Sequence, residues 1–190
     1  MGIPVLNSIT SEEYLEMESI SDIKHEFYKG EVFAMAGATV EHNIICGNTY
    51  GELYLKLKGK KCLPYVNDLR LVVKSNSLYT YPDISVICGE IEKTDDKLDT
   101  ATNPTVIFEV LSDITKDYDR GSKFKLYRDI QHLRDYILID ATGSVFVEHF
   151  SKIDGESWVL HDYKEISQAF TISSIEVTLH LRDIYDRVYA

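Results

Sequence analysis

Two acidic residues lie inside segments that otherwise have the composition of buried β-strands. Asp83 stands near the start of one apolar, β-branched run, and Glu109 stands late in the next. A carboxylate within a buried strand is costly unless it is paired with a cation or bound to a metal. Because the two residues occur on successive strands, we expect them to share one site. Carboxylate oxygens are the ligands that a hard divalent cation such as Mg²⁺ prefers.

Each of the two carboxylates also has a structural interpretation. Asp83 would then cap the entry to its strand, and Glu109 would pair with a nearby cation. Either residue taken alone favours this structural interpretation. The pair on successive strands favours a metal site.

Composition limits the class of protein. The 190 residues are 44% hydrophobic and 27% charged, which is typical of one soluble globular domain spanning residues 1–190. No apolar run is long enough to span a bilayer, and the N-terminus lacks the pattern of a secretory signal. Cys46, Cys62 and Cys88 are odd in number and include no Cys-x-x-Cys pair. We therefore expect reduced core thiols in a cytoplasmic protein, without a disulfide or a zinc site.

The charge of the chain opposes long-range attraction to nucleic acid. The formal net charge is −11, whereas sequence-independent DNA affinity comes from lysine and arginine side chains that neutralise phosphates. Basic residues cluster at 56–61 and again at 120–128. Either cluster is a candidate phosphate-facing patch, although the first is also explained as the solvated C-terminal end of a helix.

The spacing of apolar residues predicts an alternation of helices and strands. Helices are expected at Ser11–Glu18, Val40–Leu57, Tyr118–Ile130 and near Leu181–Val188. Strands are expected at Glu31–Ala36, Cys62–Val73, Asp83–Cys88, Thr105–Leu111 and Asp135–Asp140, followed by β-rich segments at Ser144–Phe150 and Ser157–His161. A polar connection at Gly89–Pro104 separates two of these strands. This order predicts an α/β fold with a mixed sheet.

Several short stretches carry a resemblance to a known family. They are Ser11–Leu15, Lys24–Glu31, Met35–Ala38, Asn67–Arg70, Tyr81–Asp83, Phe108–Ser112 and Asp119–Tyr127. In this order and spacing they resemble the PD-(D/E)XK nuclease superfamily and, within it, the bacterial Uma-type restriction endonuclease family. The resemblance runs from about residue 9 to the C-terminus. It implies the αβββαβ restriction-endonuclease-like core, with N- and C-terminal additions.

The resemblance also implies a metal-dependent endonuclease that cuts DNA phosphodiester bonds with Mg²⁺, or with Mn²⁺ in its place. Asp83 and Glu109 would be metal ligands, together with the backbone carbonyl of Val110. The superfamily places a lysine two residues after the second acid, but this chain has Leu111 there. The Uma-type family moves that lysine to the following helix, where the matching residue is Lys123.

Helical geometry supports this choice of lysine. Asp119, Lys123 and Tyr127 are four residues apart and therefore share one helix face, and the apolar character of Tyr127 aims that face at the sheet. Lys125 lies about 200° away around the helix and is the weaker candidate. The structural alternative is an ordinary surface pair between Asp119 and Lys123.

Three further residues are candidates for the site, and two of them, Glu26 and Asp68, match the family pattern. Glu26 would be an additional catalytic acid that binds metal directly or through water, and its alternative is a solvent-exposed charge. His42 opens the long helix, where it would contact a phosphate, steady Asp83 or serve a structural role. Asp68 would line the site or end a strand.

We therefore predict a cytoplasmic, Mg²⁺-dependent DNA endonuclease. Superfamily enzymes that cut both strands commonly pair, and the 13 tyrosines provide material for an interface, so we expect a homodimer. The alternative is a catalytically inactive nuclease-fold module that binds nucleic acid or protein. Leu111 and the acidic balance of the chain favour that alternative.

Overall fold

The computed structural model describes residues 3–35, 37–94 and 99–189. The helices are α1 (Ser11–Glu18), α2 (Val40–Leu57), α3 (Lys116–Tyr118), α4 (Phe124–Tyr127) and α5 (Leu181–Ile184). A π-helical segment, Asp119–Lys123, joins α3 to α4. Within these described ranges, the helices are all too short or too polar to cross a lipid bilayer.

The strands are numbered in chain order. They are β1 (His25–Tyr28), β2 (Glu31–Ala34), β3 (Cys62–Val66), β4 (Arg70–Val73), β5 (Leu78–Thr80), β6 (Ile84–Cys88), β7 (Thr100–Ala101), β8 (Val106–Leu111), β9 (Asp135–Asp140), β10 (Val147–Lys152), β11 (Trp158–Tyr163), β12 (Ala169–Ile172) and β13 (Val177–His180).

The central sheet has the order β11-β10-β9-β8-β6-β3. β8 and β9 run parallel, and the other neighbours are antiparallel. Read along the chain, α2, β3, β6, β8, the α3–π–α4 segment and β9 give the order αβββαβ, with the β4–β5 hairpin inserted between β3 and β6. The predicted mixed α/β fold class is confirmed.

Alternation along β8 decides where its acidic residue points. Phe108 and Val110 pack in the core formed with α2, whereas Leu111 packs in a second core that contains Tyr127 of α4. Because successive side chains of a strand face opposite ways, Glu109 points toward the face covered by α4. The sheet therefore aims Glu109 at the helix that carries the predicted lysine.

A second sheet, with the order β2-β1-β5-β4-β7, packs on the same face. Leu71 of β4 and Leu78 of β5 share the core that contains Tyr127. In β1, Phe27 packs instead against α1, so its neighbour Glu26 faces the other way. This arrangement directs Glu26 toward α4.

The helix predicted at Tyr118–Ile130 is broken into shorter segments. It begins earlier, at Lys116, passes through the π-helical segment and ends at Tyr127. Beyond it, the backbone N–H of Ile130 bonds the carbonyl of Tyr127 in a turn, at 2.9 Å. The predicted face is nevertheless correct, because Asp119, Lys123 and Tyr127 are all buried and Lys125 is exposed.

The strand predicted at Cys62–Val73 is two strands, β3 and β4. Asn67 and Asp68 are typical turn residues, and the Leu69 N–H bonds the Val66 carbonyl at 3.1 Å where the chain reverses. The last helix ends at Ile184, short of the predicted Val188. Ala36, at the end of the predicted strand Glu31–Ala36, lies outside the described residues.

Several strands were not predicted from the sequence, namely β1, β5, β7, β12 and β13. Each of them spans four residues or fewer. A run this short shows no reliable alternation of apolar and polar residues, and each strand becomes regular only by pairing with a neighbour.

The prediction that the cysteines form no disulfide is wrong. Cys62 and Cys88 are disulfide-bonded across 26 residues of sequence, because the antiparallel pairing of β3 and β6 places them directly opposite each other. Cys46 remains a free thiol. The prediction of a cytoplasmic location therefore loses the support that it took from reduced cysteines.

Candidate active site

The two predicted carboxylates lie together at one end of the central sheet. Ile84, the first residue of β6, pairs with Phe108 of β8, which brings Asp83 beside Glu109. The backbone N–H of Asp83 lies 3.4 Å from Oε2 of Glu109. In return, the backbone N–H of Val110 donates to Oδ2 of Asp83 at 2.7 Å. These two hydrogen bonds hold the Asp83 and Glu109 side chains next to each other.

Lys123 completes a buried ionic cluster around Glu109. Its Nζ lies 2.9 Å from Oε1 of Glu109, 3.0 Å from Oε1 of Glu26 and 3.5 Å from Oδ1 of Asp119. All four side chains are buried, so the alternatives of a surface Asp119–Lys123 pair and a solvent-exposed Glu26 are wrong. Leu111, where the superfamily lysine would stand, is buried and apolar.

Hydroxyl groups hold the carboxylates from two sides. Tyr127 donates its hydroxyl to Oε1 of Glu109 at 2.9 Å, and Thr80 donates to Oε1 of Glu26 at 2.5 Å. Tyr127 was expected from the helix register. Thr80 was not, because it reaches the site only through the pairing of β5 with β1, which leaves no signal in the sequence.

Burial dominates the electrostatics of the acidic residues. It raises the pKa of Glu109 to about 8, even though the Lys123 ammonium acts in the opposite direction, and it raises the pKa of Asp119 as well. Burial alone would raise the pKa of Glu26 too. Lys123 and the Thr80 hydroxyl outweigh it there, and the pKa of Glu26 lies below its ordinary value.

Lys123 is held in its charged form. Burial would lower its pKa, but Glu109 and Glu26 outweigh burial and raise that pKa well above the ordinary value. An ammonium has three donors and no lone pair, so it cannot accept a proton from water. Lys123 is therefore suited to orient an oxygen and to stabilise developing negative charge, rather than to act as a general base.

His42 lies on the other side of Asp83. Its Nε2 is 3.2 Å from Oδ2 of Asp83, as expected for a residue that steadies this carboxylate. Burial would lower the pKa of His42, but Asp83 outweighs it and the pKa is raised. The Nδ1 atom lies 3.5 Å from Sγ of Cys46, one turn along α2. Sequence reasoning did not associate Cys46 with the site.

Asp68 lies outside this cluster, which fits the alternative that it ends a strand and not the one in which it lines the site. It lies in the turn between β3 and β4, with its side chain 80% exposed and paired to Lys24. The sequence placed it within a continuous strand leading to the site. The turn after Val66 moves it to the surface instead.

The donor atoms at Asp83 and Glu109 fit a hard divalent cation. Both side chains offer carboxylate oxygens, and Oδ1 of Asp83 accepts no hydrogen bond from any residue that the structure describes. Burial raises the pKa of Glu109, and a cation bound at its carboxylate would favour the charged form again. Asp83, Glu109 and the Val110 carbonyl are the groups that would hold it.

Comparison with known proteins supports the resemblance found in the sequence. The model of the family Uma2, described as "Putative restriction endonuclease", matches residues 11–182. "Uncharacterized protein sll1609" from Synechocystis sp. is 36% identical over 160 residues, covering 84% of this chain and 90% of that protein. "Uncharacterized protein slr1290" from the same organism is 32% identical over 177 residues, covering 93% of this chain and 91% of that protein.

A solved structure shares the fold. The crystal structure described as "a putative nuclease belonging to DUF820" from Anabaena variabilis superposes with a TM-score of 0.70. The superposition covers 95% of this chain and 99% of that chain, at 18% sequence identity. At this level of identity, the likeness establishes the fold.

The ionic cluster predicts that Lys123→Met destabilises the protein. Removing the ammonium leaves buried carboxylates without their cation, and breaking a buried ion pair in this way costs about 3–5 kcal/mol of unfolding free energy. Chemical denaturation measures the loss. The matched control is Lys125→Met, two residues away and exposed, which should change the unfolding free energy by less than about 0.5 kcal/mol. Equal effects of the two variants would contradict the burial of Lys123.

The lowered pKa of Glu26 predicts a pH-dependent contribution to stability. Its carboxylate stabilises the fold above the ordinary pKa of 4.5, and this contribution is lost as pH falls through the lower pKa of the folded state. The difference in unfolding free energy between wild type and Glu26→Gln should therefore be greatest near neutral pH and shrink in acid. Denaturation curves recorded across this range provide the measurement. A difference that stays constant with pH would contradict the lowered pKa.

Proposed function

Since this chain belongs to the Uma2 family, which is described as "Putative restriction endonuclease", we propose that it is a metal-dependent endonuclease that hydrolyses DNA phosphodiester bonds. Mg²⁺ is the proposed cofactor, with Mn²⁺ as a substitute. The proposal rests on the family and on the grouping of acidic and basic side chains at one end of the central sheet.

The observation that carries the proposal is the position of the Lys123 ammonium. It lies 2.9 Å from Glu109, although it belongs to a helical segment and not to the strand that bears the glutamate. The absence of a lysine at position 111 was one of two features that favoured an inactive binding module, the other being the acidic balance of the chain. A lysine that reaches the same carboxylate from another element removes that objection, so we favour the enzyme.

Each residue of the site has a proposed role that follows from its chemistry. A divalent cation held by Asp83, Glu109 and the Val110 carbonyl would supply a Lewis acid for the phosphate and lower the pKa of a water. Lys123, held as an ammonium, would orient the attacking water or donate to a phosphate oxygen as negative charge develops. Glu26 would hold Lys123 in place.

Because the chain is acidic, the proposed divalent cation would also contribute to DNA binding. A net charge of −11 repels DNA phosphates at long range, and the carboxylates of the site add local repulsion. A bound divalent cation would offset this charge where the scissile phosphate must lie. We propose that DNA binding is much weaker without the metal. We also propose that the protein acts as a single-domain homodimer.

A plasmid cleavage assay with Asp83→Asn tests the proposed function. Wild type should cleave in Mg²⁺ or Mn²⁺ and not in a chelator, and Asp83→Asn should lose about 10²-fold or more because a metal ligand is removed. The matched control is Asp68→Asn, since Asp68 is also an aspartate but lies on the surface outside the site. Parallel reactions with single-stranded DNA and RNA identify the substrate.

Metal binding is read independently of cleavage. Mg²⁺ or Mn²⁺ should raise the melting temperature of wild type progressively as its concentration increases, and should not raise that of Asp83→Asn. Wild type that binds metal and DNA but cuts no substrate would support the inactive module instead. Cleavage by Asp83→Asn at the wild-type rate would overturn the assignment of the metal ligands.

The proposed homodimer makes a separate prediction. Light scattering at high micromolar concentration should give twice the mass of the chain, which is 21.8 kDa. A monomer under those conditions would contradict the proposed dimer without affecting the proposed chemistry.

A further inference from the structure

A free thiol and an imidazole lie beside Asp83, and the proposed cleavage chemistry does not use the thiol. His42 and Cys46 are four residues apart at the start of α2, so their side chains share one face of the helix. His42 lies 3.2 Å from Asp83 through Nε2 and 3.5 Å from Cys46 through Nδ1. The other two cysteines are joined in the disulfide, which leaves Cys46 as the free one.

We propose that His42, Cys46 and Asp83 form a binding site for a divalent metal ion of borderline softness, of which Zn²⁺ is the best candidate. A thiolate, an imidazole and a carboxylate are the ligand types that zinc takes in proteins. Mg²⁺, in contrast, takes oxygen ligands and has little affinity for sulfur. The trio therefore selects a different class of metal from the pair Asp83 and Glu109.

The spacing of the ligand atoms is close to what zinc requires. With one atom taken from each residue, the three atoms all lie within 4.8 Å of one another. Zinc–ligand bonds of about 2.0–2.3 Å in a tetrahedron place the ligands roughly 3.3–3.8 Å apart. Side-chain movements that shift the ligand atoms by about 1 Å would therefore let all three bind one ion. The fourth coordination position would be left to water.

The surroundings hold the Asp83 ligand in place and leave His42 and Asp83 partly exposed. The Val110 N–H donates to Asp83 and fixes the orientation of its carboxylate, as outer hydrogen bonds do at metal sites. The His42 and Asp83 side chains retain 13% and 16% of their exposure, so an ion from solvent can reach them. Binding would displace the protons of the Cys46 thiol and of His42.

Asp83 belongs both to the proposed zinc site and to the proposed Mg²⁺ site, so the two metals would compete for it. Zinc bound to Asp83 through His42 and Cys46 would engage the carboxylate that the proposed nuclease needs for its hard cation, so zinc should inhibit cleavage. This consequence rests on the proposed function. The binding of zinc to the trio does not, because it depends only on the three side chains.

Titration of the full chain with Co²⁺, without reductant, tests the site directly. Cobalt replaces zinc in such sites, and a cobalt–thiolate bond produces a strong charge-transfer absorption in the near ultraviolet that oxygen and nitrogen ligands do not give. Wild type should develop this band, and Zn²⁺ should abolish it by displacement. The band should be absent in Cys46→Ser, and His42→Gln should weaken cobalt binding by about 10²-fold.

Circular dichroism and melting temperature show whether each variant is folded, so that loss of the band reports the ligand and not the fold. No band in wild type, or an undiminished band in folded Cys46→Ser, would overturn the site. In the cleavage assay, the ratio of rates with and without zinc should be much lower for wild type than for Cys46→Ser. Cobalt binding without any Mg²⁺-dependent cleavage would overturn the proposed nuclease and leave the zinc site standing.

Discussion

The rest of the site depends on the ion pairs of the buried Lys123 ammonium. It pairs with Glu109 of β8, Glu26 of β1 and Asp119 of the π-helical segment. A buried carboxylate without a cation would destabilise the fold by several kcal/mol. Because the three acids belong to separate elements, one cation fixes how the second sheet and the helical segment sit on the central sheet.

The cluster remains acidic even with its lysine. Three carboxyl groups surround one ammonium, and the pKa of Glu109 stays at about 8 because burial outweighs the attraction of Lys123. Asp83 adds a further negative charge at the edge of the cluster. Folding therefore favours the charged forms of Lys123 and Glu26, but it disfavours the charged form of Glu109. This imbalance gives a divalent cation a physical reason to bind where Asp83 and Glu109 meet.

The π-helical segment connects this chemistry to the sheet. Such segments are rare and are frequently found at functional sites. Here the Tyr136 hydroxyl, from β9, donates to the carbonyl of Asp119 at 3.0 Å and satisfies it in the interior. The segment thus keeps Asp119 and Lys123 on the buried face. The hydrogen bond from Tyr136 attaches the segment to β9, the strand next to β8.

The sequence alone determined the features that depend on local spacing, namely the strands of Asp83 and Glu109 and the helix face of Lys123. Only the tertiary structure decided the features that depend on strand register. The pairing of β1 with β5 brings Thr80 to Glu26, and the pairing of β3 with β6 joins cysteines 26 residues apart. The periodicity of side chains along one element depends only on neighbouring residues, so the sequence reveals it. The register between distant strands depends on how the folded chain packs and turns.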